Sequence, residues 1–393
     1  MNGEGKRVSW VELYLDLIFV LAVGQLSHLI VGEPEMSSVW IALGLFFTLW
    51  WTWVGFAVLY NRYGVDAVPQ RLLFLAGSVP TGVAAVAIEP ASTGDVAVFA
   101  ASLAITRLIL AGANALDGGW RELLRGRIAV SYGISAALFV VSIWTPEPFR
   151  YILWAFAIAL ESGALLHEDR QAARRARRER SFDALAPSNP DEALDPHHFA
   201  ERFGLFLIIL LGEVVVEAGQ ASVDGHVASA GGWGALVAAM ILAAALWWLY
   251  FDAAAEINLR VLELSGGSPT IARAIFAVGH MLPCFALLLV AAGVGLLLED
   301  DPPRIAYSLA CVGFGIYLLG TRVFMTARTN AGRAARLLLL IAIFSLGRLH
   351  ETLSPHAYLW VLTVLAGMCA ALATRRGDPG AEVERYIAGR ESR

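Results

Sequence analysis

Residues 9–28 read SWVELYLDLIFVLAVGQLSH, a stretch that has the length of a membrane helix but carries ionisable and polar groups. An α-helix needs about 20 mostly apolar residues to cross a bilayer, and an ionisable group within it must face protein or a water-filled cavity. Glu12 and Asp16 lie four residues apart and share one helix face, whereas Gln25 lies on the opposite face. We therefore expect this helix to lie at the centre of a bundle, surrounded by other helices.

The composition of the whole chain supports a membrane protein. Of its 393 residues, 58% are hydrophobic and 16% are charged, and the mean hydropathy is +0.62. This balance is not that of an ordinary soluble globular protein and predicts an all-α polytopic membrane protein. The three cysteines are isolated in apolar segments, and the neighbouring His197 and His198 point to different helix faces. We therefore predict no disulfide framework, no metal site and no cofactor.

Twelve apolar segments are candidates for transmembrane helices. They form two sets of six, separated by a polar interval at about 169–197 that begins Arg-rich and ends rich in Pro and Asp. The predicted spans are 10–31, 38–60, 70–89, 94–116, 127–145, 148–168, 199–218, 231–255, 271–298, 304–327, 335–350 and 355–374.

The basic residues agree with this count, because Lys and Arg accumulate in the cytoplasmic loops of membrane proteins. With the N-terminus inside, 23 of the 29 Lys and Arg residues fall in cytoplasmic segments and 3 in outer loops. This distribution predicts that both termini and the Arg-rich interval are cytoplasmic. We interpret the Arg run of that interval as a topology signal and assign it no nucleic-acid partner.

Short motifs recur in the same order in the two sets of spans. Leu49-Trp50-Trp51 recurs as Leu246-Trp247-Trp248, and Thr106-Arg107 recurs as Thr321-Arg322. The recurrence predicts duplication of a six-helix unit, which gives two parallel repeats because each unit has an even number of spans. The predicted organisation is a first half at 1–168, a linker at 169–197, a second half at 198–376 and a tail at 377–393.

Charged residues near the cytoplasmic ends of the spans form a first group of candidate site residues. Two interpretations are open: the charges form ion pairs that orient helices, or they line a polar cavity that opens to the cytoplasm. As ion pairs, we expect Asp16 or Glu12 to meet Arg107, and Glu201 to meet Arg322. The group consists of Glu12, Asp16, Arg107, Glu201, Arg202 and Arg322.

A second group lies at mid-membrane depth. Glu213 is about a dozen residues into its span, Glu217 follows one turn later, and His280 lies at a similar depth in another span. A carboxylate at this depth could bind a proton or a cation. The alternative is a protonated Glu that is hydrogen-bonded to a neighbouring helix.

Aromatic residues form a third group. Trp51 lies in one aromatic-rich span, and Trp247 and Trp248 lie in another that ends with Asp252. Such residues commonly mark the membrane interface or fill a core. The functional alternative is an aromatic-lined pocket that holds a cation or an apolar ligand, with Asp252 at its cytoplasmic end.

Four motifs along the chain carry a resemblance to a known family. They are Trp10-Val-Glu12-Leu-Tyr14-Leu-Asp16-Leu-Ile-Phe-Val20, His198-Phe-Ala-Glu201-Arg202-Phe-Gly204, Leu211-Gly212-Glu213 and Trp247-Trp248-Leu-Tyr250-Phe-Asp252. With these motifs the chain resembles the bacterial low temperature requirement A (LtrA) membrane protein family over nearly its whole length. The resemblance implies a polytopic protein of the bacterial inner (cytoplasmic) membrane, and it implies no established substrate, cofactor or catalytic residue.

Three functions remain open from the sequence. The leading hypothesis is a secondary transporter of a small cationic or proton-coupled solute, which rests on the duplication, the buried carboxylates and the linker. The second is an intramembrane enzyme that acts on an isoprenoid or lipid, with carboxylates as acids. The third is a membrane scaffold in which every charge is structural. The expected partners are membrane lipids and a small solute, a proton or a lipid.

Overall fold

The computed structural model describes residues 8–63, 68–116, 126–179, 185–187, 193–223, 229–321 and 330–374. Within these ranges all regular structure is helical. The helices of the first 179 residues are α1 (Trp10–Gly32), α2 (Met36–Tyr63), α3 (Val68–Val86), α4 (Ile88–Ser92), α5 (Ala97–Leu116), α6 (Arg127–Ser142) and α7 (Phe149–Glu179).

The remaining helices include two segments of π-helix. Tyr250–Ala254 and Arg273–Val278 are the two π-helical segments. Gly347–Glu351 is a 3₁₀ segment. The α-helices are α8 (Pro196–Val223), α9 (Ala230–Leu249), α10 (Ala255–Leu264), α11 (Pro269–Ala272), α12 (Met281–Leu297), α13 (Arg304–Gly320), α14 (Asn330–Leu346) and α15 (Pro355–Thr374).

Among the described residues, six helical segments are long and apolar enough to cross a membrane. Helix α8, which contains Glu201, Arg202, Glu213 and Glu217, is not among them. Each of the twelve predicted ranges contains a helix, and α7 continues into the predicted linker as far as Glu179. The six segments are Trp10–Gly32, Met36–Asn61, Ala97–Asn114, Ala230–Leu264, Pro269–Leu297 and Pro355–Ala373.

Helix α1 has one buried face and one exposed face. Glu12, Leu15 and Asp16 are buried, whereas Trp10 is 87% exposed and Leu17 is 59% exposed. The expectation that other helices surround α1 on all sides is therefore wrong. Both carboxylates share the buried face, and Gln25 on the other side is an uncharged amide that is partly buried. The exposed stripe consists of Trp10, Tyr14, Leu17 and Leu21.

The chain divides into two compact units that interleave along the sequence. The first unit comprises Met1–Gln25, Gly44–Arg202 and Leu262–Ala277, and the second comprises Leu26–Leu43, Phe203–Val261 and Val278–Arg393. Helices α1, α2 and α8 each contribute residues to both units.

The start of α8 is fixed by a short segment of the first unit. Asp195 Oδ1 accepts hydrogen bonds from the backbone N–H groups of His197 (3.0 Å) and His198 (3.1 Å), and Pro196 follows as the first helical residue. The preceding Leu194 N–H donates to Gly267 O at 2.9 Å. Gly267 has a φ of +67° and lies so close to Leu194 O that a Cβ atom would clash with it. This contact sets the position from which His198 and Arg202 project.

Candidate functional site

The strongest concentration of buried charge lies in the first unit, where α1 presents Glu12 and Asp16. Glu12 is the third residue after Ser9, and its Oε2 accepts hydrogen bonds from the Ser9 N–H (3.0 Å) and the Ser9 hydroxyl (3.1 Å). A hydrogen bond from the backbone N–H of the residue before the helix to the carboxylate of the third helical residue is half of a capping box. The same carboxylate therefore begins the helix and contributes to the site.

Arg202 bridges the two carboxylates. Its Nη1 contacts Glu12 Oε1, and its Nη2 donates to Asp16 Oδ1 at 2.9 Å. The guanidinium carbon lies 5.6 Å from the centroid of the Trp53 ring, and the Trp53 indole N–H donates to Asp16 Oδ1 at 2.7 Å. All four side chains are buried, so water screens these charges little.

His198 completes the cluster, and its hydrogen bonds assign its tautomer. Its Nε2 lies 3.2 Å from Glu12 Oε2, and its Nδ1 lies 3.1 Å from Asn61 Nδ2. The Asn61 amide is oriented by its Oδ1, which accepts from the Asp195 N–H at 3.3 Å. The Asn61 NH₂ group therefore donates to Nδ1, which must be unprotonated, and Nε2–H donates to Glu12.

With a neutral His198, the cluster would hold more negative than positive charge. Glu12 and Asp16 bring two carboxylates, Arg202 brings one positive charge, and His198 is neutral in the assigned tautomer. In the part of the chain that the structure describes, Asp16 Oδ2 has no hydrogen-bond partner. A buried charge without a partner is costly, so a proton or a small cation at Asp16 would balance the cluster. We call these residues the Arg202 cluster: Glu12, Asp16, Trp53, Asn61, His198 and Arg202.

Arg107 pairs with a different carboxylate from the one expected. Its Nε lies 3.1 Å from Glu161 Oε1, and its Nη1 donates to the Thr52 hydroxyl at 2.7 Å. The Ser135 hydroxyl also donates to Glu161 Oε1. The prediction that Arg107 meets Asp16 or Glu12 is therefore wrong. Arg202, which is one turn after His198 on α8, takes that place.

The second predicted pair is not tested. Glu201 is exposed, and Arg322 lies outside the described residues, as do the tail at 377–393 and parts of the predicted linker. Glu201 and Arg202 are adjacent on α8 and therefore point in different directions, which explains why one is exposed and the other is buried.

The mid-membrane candidates lie in the second unit. Glu213 and Glu217 are both buried and lie one turn apart on α8. His280 is also buried, and its Nε2 lies 2.7 Å from the Tyr250 hydroxyl. The Phe203 ring packs edge-on against the His280 imidazole. His280 thus has a fixed hydrogen-bond partner that the sequence did not reveal.

The aromatic candidates differ in their surroundings. Trp51 is buried and packs edge-on against Phe47. Trp247 and Trp248 are both partly exposed, and Trp247 stacks on Phe251 with the ring centroids 5.2 Å apart. Asp252 is exposed. The exposed rings agree better with an interfacial role than with the lining of a closed pocket.

Four residues of the Arg202 cluster and of the Arg107–Glu161 pair were not among the predicted site residues: Trp53, Asn61, Glu161 and His198. For His198 a signal was present, because the spacing His198-x-x-x-Arg202 places both side chains on one face of a helix, as Glu12 and Asp16 are placed on α1. For Trp53, Asn61 and Glu161 the partners are 37 or more positions away in the chain.

Known bacterial sequences are similar to this chain over most of its length. The sequence model of the family described as bacterial low temperature requirement A protein (LtrA) matches residues 7–372. The uncharacterized protein RA0937 of Rhizobium meliloti (strain 1021) is 25% identical over 335 residues, which cover 84% of this chain and 77% of that protein. No solved structure gives a significant match.

Proposed function

The chain belongs to the bacterial low temperature requirement A (LtrA) family, and from that premise we propose that it is a secondary transporter of a small cationic or proton-coupled solute. Family membership and six apolar helices indicate an integral membrane protein. The proposal places it in the inner membrane with twelve spans, arranged as two parallel six-helix repeats. Both termini are cytoplasmic, and the surrounding lipids are its structural partners.

One observation carries the proposal: in a cluster of two buried carboxylates and one arginine, Asp16 Oδ2 has no hydrogen-bond partner among the described residues. Ion pairs that serve structure alone are expected to balance, because a buried unpaired charge destabilises the fold by several kcal/mol. A group that exchanges a proton or a cation during transport must instead be able to exist with and without it. Asp16 fits this role, since its Oδ1 is held by Trp53 and Arg202 while its Oδ2 has no partner among the described residues.

The test is proton flux in proteoliposomes that contain the purified protein and a trapped pH-sensitive dye. A gradient of sodium, potassium, choline or tetramethylammonium chloride is imposed, and the internal pH is recorded. We expect the wild type to couple one of these cations to proton movement and Asp16→Asn to abolish the coupling. The matched control is Glu89→Gln, because Glu89 is an exposed carboxylate of the same unit. Coupled flux that persists at the wild-type rate in Asp16→Asn would contradict the role of Asp16.

An intramembrane enzyme or lipid-binding function is favoured by a different observation. An apolar cavity of about 540 Å³ in the first unit is lined by residues of α1, α3, α4 and α5, among them Tyr14, Ile18 and Val83. A lipid chain would fit its apolar walls. However, Tyr14 and Ile18 lie on the side of α1 opposite Asp16, so the buried carboxylates point away from this cavity. Glu12 and Asp16 therefore support the transporter more than acid chemistry on a lipid, and Asp95, the carboxylate that does line this cavity, is exposed.

A further inference from the structure

A small polar cavity lies in the second unit, where α1, α8 and the end of α12 meet. Its volume is about 210 Å³. A cavity needs only about 10–15 Å³ to hold one water molecule, so this one has room for a ligand of several non-hydrogen atoms. We call it the Glu217 cavity, and its lining residues are His28, Val31, Glu217, Gln220, Ala221, Gly295 and Glu299.

We propose that the Glu217 cavity binds a small organic ammonium cation, with the Glu217 carboxylate as the acceptor of its N–H groups. This inference goes beyond the transport proposal, because it concerns binding by other residues than those of the Arg202 cluster. A binding measurement, in which no transport is required, tests it.

The first argument is the state of the Glu217 side chain. It is 5% exposed, and within the described part of the chain its Oε1 has no hydrogen-bond partner. The Ser27 hydroxyl and the His28 imidazole interact with the carboxylate electrostatically, and Glu213 lies one turn earlier on the same helix. A buried carboxylate oxygen without a donor is unfavourable, so a cation that donates hydrogen bonds into the cavity would stabilise it.

The second argument is the glycine that makes room for this carboxylate. A Cβ atom at Gly295 would lie 2.9 Å from Glu217 Oε2 and 3.4 Å from Glu217 Cβ. Any larger residue at this position would push the carboxylate out of its place. The backbone of α12 thus leaves open the space into which Glu217 projects.

The third argument concerns the kind of cation. Among the residues that the structure describes, no group of three or more His, Cys, Asp or Glu side chains has the geometry of a metal site. The cavity has apolar walls at Val31 and Ala221 in addition to its carboxylates at Glu217 and Glu299. An alkylammonium ion matches both features, because its ammonium group donates up to three hydrogen bonds and its alkyl part packs against apolar walls.

The experiment is calorimetric titration of the purified full-length protein in detergent with propylammonium chloride. Sodium chloride and potassium chloride at equal ionic strength are the cation controls, and 1-propanol is the neutral control. We expect saturable binding of propylammonium by the wild type. In Glu217→Gln we expect affinity lower by at least about tenfold, since the ammonium group then donates to a neutral amide oxygen and loses its attraction to the carboxylate charge.

A matched glycine pair tests the site by shape rather than by charge. Gly295→Ala places a methyl group against Glu217, whereas Gly219→Ala on α8 places one where nothing lies within 4 Å. We expect Gly295→Ala to lose binding and Gly219→Ala to bind as the wild type does. This pair decides the question if Glu217→Gln does not fold, as judged by size-exclusion profile and thermal unfolding.

Four results would overturn the proposal. They are the absence of propylammonium binding to the wild type, unchanged binding in Glu217→Gln, unchanged binding in Gly295→Ala, and equal binding of sodium or potassium ions. Asp16→Asn separates this proposal from the transport proposal, because it should abolish coupled flux while leaving propylammonium binding unchanged. Conversely, failure of propylammonium binding leaves the role of Asp16 in transport intact.

Discussion

Arg202 is a single residue on which two buried carboxylates depend. Its guanidinium contacts Glu12 and Asp16 at the same time, and all three side chains are buried. Removal of one member of a buried ion pair leaves the other charge without compensation, and the effect is larger than that of losing an exposed pair. The direction of the effect therefore depends on which charge is removed, because the cluster with a neutral His198 would hold an excess of negative charge.

The first prediction is that Arg202→Gln lowers the free energy of unfolding, whereas Asp16→Asn does not. Arg202→Gln strands two carboxylates and should lower the free energy of unfolding by at least about 3–5 kcal/mol. Asp16→Asn removes the excess charge and should leave the free energy of unfolding unchanged or raise it. Unfolding of the purified variants in mixed detergent micelles measures both.

The control for this comparison is Arg304→Gln, because the Arg304 side chain is 83% exposed and lies 4.0 Å from its carboxylate partner. We expect it to change the free energy of unfolding by less than about 1 kcal/mol. Combining Arg202→Gln with Asp16→Asn should restore part of the stability, since one stranded carboxylate is then neutral. A double variant that is as unstable as Arg202→Gln alone would show that the two groups are not coupled.

The second prediction concerns the partner of Arg107. Arg107→Leu strands the buried Glu161 carboxylate and should destabilise the protein by about 3–5 kcal/mol. Adding Glu161→Gln should recover much of this loss, whereas adding Asp16→Asn should change the free energy of unfolding only by as much as it does in the wild type, because Arg107 contacts Glu161. Measured free energies of unfolding for the two double variants distinguish the pairings. Equal recovery by both second substitutions would contradict the pairing in the structure.

The charged residues could be predicted from sequence, but their pairing could not. Glu12, Asp16, Arg107 and Arg202 stand out because a charge within an apolar span must have a partner. Which partner it meets depends on how helices pack, and Asp16 and Arg202 are 186 positions apart. Depth along the membrane suggested Arg107 as the partner of Asp16, but depth does not specify which faces of two helices meet.

Helix α1 illustrates at the scale of an element how charge and lipid exposure are combined. Its carboxylates occupy one face, and its opposite face carries Trp10, Tyr14, Leu17 and Leu21. A helix with this distribution can contact protein on one side and acyl chains on the other. The apolar length of the segment predicts the helix. It does not predict the exposed face, because Gln25 suggests a second polar face.

The third prediction is that Leu17 contacts lipid and Leu15 does not. Leu17 is 59% exposed and Leu15 is fully buried, although both lie on α1. A spin label at Leu17→Cys should collide frequently with oxygen, which concentrates in the bilayer, and rarely with a water-soluble nickel chelate. Leu15→Cys should be labelled little, because the side chain at this position is buried. The three native cysteines are buried, so they should react little with the labelling reagent. Frequent collision of the Leu17 label with the nickel chelate would contradict a lipid-facing stripe.

Helices α9 and α12 show where helix prediction from sequence stops. The ranges 231–255 and 271–298 were predicted as continuous spans, and helical structure is present in both. The structure adds π-helical turns at Tyr250–Ala254 and Arg273–Val278. Such turns depend on one extra residue per turn being accommodated by packing, which leaves no periodic signal in the sequence. Tyr250 in the first of them places its hydroxyl 2.7 Å from His280 Nε2.

At the scale of the whole molecule, the division by internal contacts and the division by sequence motifs describe different properties. The two compact units interleave, so that 26–43 belongs with the second unit and 262–277 with the first. The predicted repeats instead follow the chain in order, as expected of gene duplication. The order of the repeats along the chain and the grouping of residues by their contacts can differ in one protein, because a helix of one repeat can pack with residues of the other. The repeat and the twelve spans remain predictions that topology mapping can test.

The fourth prediction is that the Arg-rich interval and the C-terminus are both cytoplasmic. Of the 29 Lys and Arg residues, 23 fall on that side in the twelve-span arrangement. Six spans before the interval and six after it return the chain to the same side. A span omitted or added before the interval would reverse both sites, whereas one omitted or added after it would reverse only the C-terminus. Fusions after Arg180 and after Arg393 should therefore fluoresce with green fluorescent protein and lack activity with alkaline phosphatase. A fusion after Arg150, at the outer end of the predicted span 148–168, should give the opposite pattern and is the control. Phosphatase activity after Arg180 or Arg393 would contradict the arrangement of six spans on each side.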